Sequence, residues 1–166
     1  MAKSLKVAWN ERASPAANAR RDLPRLTADF FQQVRVALAA RPSPEQLHRV
    51  RLAAKRIRYT LELFRPCYGP GLEVRIESLR KLQQVLGEIN DCASARRLLA
   101  EIIPVFPRRA EVERFLASRL RKKTQELRNL WGEKIDAPGE EIRWVRYLAR
   151  SARAPRVPAK QPAPKQ

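Results

Sequence analysis

The densest run of chemically capable side chains is Leu47-His48-Arg49-Val50-Arg51-Leu52-Ala53-Ala54-Lys55-Arg56-Ile57-Arg58-Tyr59. On a helix turning by about 100° per residue, His48, Arg51, Lys55, Arg58, Tyr59 and Glu62 share one stripe, while Arg49 and Arg56 point elsewhere. Like charges three and four positions apart oppose the helix by roughly 0.2–0.5 kcal/mol per pair. A line of cations with one carboxylate beside it is therefore expected where an anion binds; a solvated basic face, with Tyr59 at the edge of the core, is the plainer alternative. A later helical stretch repeats the pattern. Arg119 and Lys123 fall on the same side of the wheel as Val112, Leu116 and Leu130. Cations on an apolar side are costly unless they line a wet groove or meet an anion, or snorkel along their own stems. The two helices together could line a basic groove, with Arg75, one turn before Leu79, adding to it.

Catalytic chemistry finds little support. His48 is the only histidine and has no Ser, Thr or Cys three or four residues away to activate. The carboxylate pairs Glu111/Glu113 and Glu140/Glu141 are isolated, and no phosphate-cradling G-x-x-x-x-G-K-[ST] loop occurs. Cys67, Cys92 and His48 are too few and too scattered for a disulfide framework or an ordinary zinc site, so neither metal nor cofactor is expected. What remains is binding without chemistry on the ligand. The net charge of +18, from 35 Lys and Arg against 17 Asp and Glu, exceeds what solubility needs and favours an anionic partner. Nucleic acid, polyphosphate, anionic lipid and acidic protein all satisfy that condition. No window approaches the roughly 20 apolar residues of a membrane span, and residues 1–21 lack the apolar centre of a signal peptide; a cytoplasmic location is expected.

The elements that must position these side chains are all helical. Residues 1–21 lack periodicity and read as a loose basic arm. Leu26, Phe30, Val34 and Leu38 then recur every fourth position, predicting a helix from about Pro24 to Ala40. Arg41-Pro42 breaks it. Ser43, Pro44 and Gln46 make a capping box for the next helix, whose apolar stripe is Leu47, Val50, Ala54, Ile57, Leu61 and Phe64, and which Pro66 stops. A third segment runs from Leu72 to about Ile103, with Leu72, Leu79, Leu82, Leu86 and Ile89 on one face. Gly87 and Asn90-Asp91 predict a kink or restart in it, and Pro104 and Pro107 its end. A fourth helix spans about Arg109 to Trp131, with Val112, Leu116, Leu120, Leu127 and Leu130 inward. Residues 136–153 hold a short terminal helix, Glu140 to Arg153, with Trp144 and Tyr147, and residues 154–166 form a Pro/Lys tail too polar to fold. Long helices with short breaks and no strand-like alternation give an all-α antiparallel bundle.

The run His48-Arg49-Val50-Arg51, followed by Ala54-Lys55-Arg56-Ile57-Arg58-Tyr59 and Leu61-Glu62-Leu63-Phe64, resembles the signature helix of the CHAD family, histidine-containing α-helical domains that bind inorganic polyphosphate. Leu82-Gln83 and Leu86-Gly87-Glu88-Ile89-Asn90-Asp91 resemble its second helix, and the basic helix ending at Leu130-Trp131 fits the segment that follows, so the resemblance covers about residues 22–135. It implies a central basic channel for a polyphosphate chain. His48, Arg51, Lys55, Arg58 and Tyr59 match the motif residue by residue; Arg119, Lys122 and Lys123 match by position in a basic helix. Family members usually contain two such halves, whereas this chain resembles a single half, which implies either an open groove or a homodimer assembled around the ligand. The triphosphate tunnel domain often joined to the family carries an E-x-E-x-K motif. The nearest run here, Glu111-Val112-Glu113-Arg114-Phe115, has Phe in place of Lys, so no enzymatic partner is expected in this chain. The resemblance also implies a cytoplasmic setting, in association with polyphosphate granules where these form. Sequence-non-specific binding of nucleic-acid backbone and docking on acidic proteins are the alternative functions.

Overall fold

The computed structural model describes residues 9–102 and 108–153. Within them the chain forms helices α1 (Pro15–Leu38), α2 (Pro44–Leu63), α3 (Gly71–Ile102), α4 (Arg109–Leu130) and α5 (Glu140–Arg150), with a 3-10 turn at Arg65–Cys67 and a π turn at Trp131–Ile135. No strand occurs among the described residues, and no helix is long and apolar enough to cross a membrane. Paired residues run in opposite directions across the α2–α3 and α1–α5 junctions. Arg58 meets Gln83 while His48 meets Asn90, and Arg35 meets Glu141 while Arg20 meets Ala152. The result is an antiparallel bundle in which α1 packs on α2 and α5, and α3 packs on α2 and α4.

The first helix begins earlier than the loose arm over residues 1–21 allows. Ser14 has extended backbone and its hydroxyl accepts from the Ala17 N–H at 3.2 Å, while Pro15 takes the first helical turn. Pro24 therefore sits inside the helix, where a proline costs about 3 kcal/mol. Burial of Ala16, Ala19 and Leu23 on the bundle side offsets that cost. Asn18 adds to it by bonding Asn10 and Ala13 through its side chain.

Helix α2 starts with the expected capping box: Ser43 Oγ accepts from the Gln46 N–H, and Gln46 Oε1 accepts from the Ser43 N–H at 2.7 Å. Its whole apolar stripe is buried. Helix α3 runs for 32 residues without the expected interruption at Gly87 or Asn90-Asp91. A mid-helix glycine costs only about 1 kcal/mol. The core face passes through this stretch unbroken, with Leu82, Val85, Leu86, Ile89 and Cys92 all buried. Asn90 is held from outside by His48 instead of restarting the helix. Ile103, Pro104 and Pro107, expected at the end of this segment, lie outside the described residues, as does the tail over 154–166.

In α4 only Leu127 is fully buried; Val112, Leu116, Leu120 and Leu130 are half-buried, and Phe115 is exposed. The helix packs chiefly on α3, so its first half gains one neighbour where a bundle interior provides two or three. The other end is closed firmly. Phe30, Phe31, Trp131 and Trp144 form an edge-to-face aromatic cluster. Beside it, Arg35 makes a two-point contact with Asp136 and a further pair with Glu141, and Trp131 Nε1 donates to Asp136 at 3.1 Å. Gly139, at φ 84°, turns the chain into α5, which ends at Arg150 and not at Arg153.

Candidate functional site

The basic stripe of α2 lies along the seam with α3, and α3 fixes its side chains. Gln83 is the anchor: its Nε2 donates to the Ala54 carbonyl at 2.7 Å, and its Oε1 accepts from Arg58 Nε at 2.9 Å. Arg58 then pairs with Glu62 at 2.7 Å, one helical turn on. Its guanidinium carbon lies 4.4 Å from the centroid of the Tyr59 ring, and the Lys55 ammonium lies 5.9 Å from it. Tyr59 is thus held between two cations and is half exposed, at 51 %. At the other end, His48 Nδ1 lies 3.2 Å from Asn90 Oδ1. Between these two anchors Arg51 has no partner among the described residues. Gly87 lies between Gln83 and Asn90 on α3, and a Cβ placed there would meet nothing within 4 Å. Arg51 and Lys55 on α2 lie between the same two contacts as Gly87 on α3.

The stripe is electrically lopsided. Glu62 takes Arg80 as well as Arg58, Glu73 takes Arg65 and Arg80, and Glu77 takes Arg80. All these carboxylates gather where α2 ends and α3 begins. Among the described residues, the half toward His48 and Arg51 has none paired to it. An anion entering from the His48 end would meet Arg51, unpartnered among the described residues, before the carboxylates.

The α4 cations stand across α3. Lys123 Nζ lies 2.9 Å from Glu88 and 2.8 Å from Glu126, and Arg119 lies 3.6 Å from Glu88. Lys123 holds the Glu88 carboxyl below the ordinary carboxylate range, and Glu126 and Glu88 hold the Lys123 ammonium above its usual value. Lys122 lines a shallow concavity together with Lys81 and Lys134. Arg75 stands apart from all of these, at the junction with α5. It donates to the Gly71 carbonyl at 2.7 Å, lies 4.0 Å from the Tyr147 ring centroid, and has its pKa lowered by burial.

A further basic concavity has no counterpart in the reading of any one helix. Arg41, from the α1–α2 connection, Arg96 of α3, and Arg121 and Arg128 of α4 surround a cleft of about 730 Å³, which His48 and Asn90 border on one side. The only sequence signal is the seven-residue spacing of Arg121 and Arg128 around Thr124, which puts them on one face of α4. The other two arginines come from distant elements, so only the fold assembles the cluster.

The arrangement offers charge-assisted hydrogen bonds to phosphate oxygens from guanidinium and ammonium groups. A family model described as CHAD domain matches residues 2–100. That span takes in α1, α2 and nearly all of α3. It begins before the resemblance read from the motifs and ends before α4, so Arg119, Lys122 and Lys123 lie outside it. No curated protein and no solved structure matches the chain.

Proposed function

The chain belongs to the CHAD family, a family associated with polyphosphate binding, and from that premise we propose that it binds inorganic polyphosphate along the α2–α3 seam without cleaving it. The observation that carries this reading is the unbalanced half of the stripe. Among the described residues Arg51 has no partner and Lys55 has only the Tyr59 ring, and both lie, like the unobstructed Gly87 of α3, between the His48–Asn90 and Arg58–Gln83 contacts. His48 and Asn90 would contribute hydrogen-bonding groups at the entry. Arg58 and Tyr59 would close the far end, where the Glu62, Glu73 and Glu77 carboxylates repel further phosphates. Arg119 and Lys123 form the second wall once Glu88 yields them to the ligand, and Lys122 extends it. Arg75 is bound into the α3–α5 junction and has no part in this contact.

One observation favours nucleic acid as a second reading. Tyr59 is exposed and flanked by cations, which is the setting in which a base can stack. A competition titration of long-chain polyphosphate against single-stranded DNA and RNA, at matched phosphate concentration, separates the two. Polyphosphate should displace both nucleic acids. Displacement of bound polyphosphate by either nucleic acid at equal phosphate would move the assignment to the second reading.

A further inference from the structure

We propose that the arginine-rimmed cleft is a second anion site, distinct from the α2 stripe, and that it takes a small phosphorylated molecule bearing an apolar or ring portion, of the nucleoside triphosphate class. The rim is made for phosphate. Arg41, Arg96 and Arg121 have no partner among the described residues. Arg128 donates to the Ala40 carbonyl at 2.6 Å but leaves its buried Nε without an acceptor. Among the described residues no carboxylate lines the cleft. This contrasts with the rest of the surface, where Glu62, Glu73, Glu77 and Glu88 each take at least one cation. Four guanidiniums converging without a counter-ion repel one another, and a phosphate group offsets that repulsion through paired N–H donors.

The floor is not made for phosphate. Leu47, Leu86 and Ile89 are buried side chains whose edges reach the cleft, and Leu120, Ala93 and Ala117 complete an apolar surface. A bare phosphate chain gains nothing from such a floor, whereas a base or sugar ring gains by covering it. Asn90, Thr124 and Gln125 supply the few polar groups that orient a ring. The volume is in the range of small-molecule sites and too small for a folded partner. The cleft shares only His48 and Asn90 with the α2 seam, so the two sites can be altered separately.

The test titrates the full chain with ATP, tripolyphosphate and adenosine, and with long-chain polyphosphate, by calorimetry at fixed ionic strength. Tripolyphosphate carries the greater charge for its size, so undirected attraction would favour it over ATP. The cleft predicts the reverse: one ATP per chain, bound about tenfold or more tighter than tripolyphosphate, and no measurable binding of adenosine. The double variant Arg96→Glu/Arg121→Glu changes two exposed residues with no internal partner. It should weaken ATP by about tenfold or more and leave long-chain polyphosphate within about threefold. Tripolyphosphate binding as tightly as ATP, or Arg51→Glu/Lys55→Glu weakening ATP as much as the cleft variant does, overturns the second site. Loss of polyphosphate binding altogether, with ATP binding retained, would count against the polyphosphate reading and for the cleft.

Discussion

Glu88 shows how the charge on a single residue can set the affinity of a whole face. It already occupies Lys123 and Arg119, so a phosphate bound at those two cations would compete with it. Its hydrogen bond with Lys123 lowers its carboxyl pKa. Its contribution to stability is therefore present above the unfolded carboxylate pKa and is lost as pH falls through the lowered folded value. Glu88→Gln removes the competitor and should raise polyphosphate affinity severalfold; unchanged or weaker binding in a titration would take Arg119 and Lys123 out of the site. His48 tests the absence of chemistry. Its only described partner is Asn90, and no nucleophile adjoins it. His48→Gln should lower affinity about twofold to fivefold, the loss of one hydrogen bond, and a phosphate-release assay should read zero for wild type and variant alike. Release by the wild type that disappears in the variant would make His48 catalytic. The motif stripe was legible from spacing alone because one helix carries it. The cleft arginines were not, because they come from three separate places in the chain.

At the scale of elements, periodicity located the buried faces well and the helix ends less well. Leu47, Val50, Ala54, Ile57, Leu61 and Phe64 are buried as their spacing requires, and the Ser43 capping box forms. The misreadings share a cause: local helix-breaking signals were outweighed by packing. Pro24 drew the first helix nine residues short of its actual start at Pro15, and Gly87 suggested a break in a helix that runs through it. Expected inward positions on α4 are half-exposed because wheel geometry reports a face and not how many neighbours cover it. Gly87 gives a direct check. It is helical and unobstructed, so Gly87→Ala should stabilise the fold by about 0.5–1 kcal/mol in urea denaturation. A destabilised variant would show that the backbone there is not the regular helix described.

The whole molecule carries +18 on a fold whose motif appears once. The motif resemblance implies one half of a symmetric channel, and we propose that a second copy related by a two-fold axis supplies the other wall. Repulsion between two such chains is screened over about 8 Å at physiological ionic strength, and a polyphosphate strand between them offsets it directly. Little or no dimer is expected in the free protein and a dimer with long-chain polyphosphate bound, with ligand affinity rising as protein concentration rises. Light scattering with and without polyphosphate measures this. A monomer with one ligand under both conditions, at concentration-independent affinity, would show that the single face is sufficient.

The assignment of function rests most heavily on which cations meet the ligand, and one pair of equally charged variants addresses it. Arg51→Glu/Lys55→Glu alters the open half of the stripe; Arg49→Glu/Arg56→Glu makes the same change in net charge on other faces of the same helix. Polyphosphate titrations of both against wild type, across a range of salt, are the most direct measurement. A bound phosphate chain on the α2–α3 seam predicts a loss of about a hundredfold or more for the first variant, with a shallower salt dependence than wild type, and about fivefold or less for the second. Equal losses from the two variants would mean that the chain attracts polyanions through its overall charge, and would contradict a site on the seam.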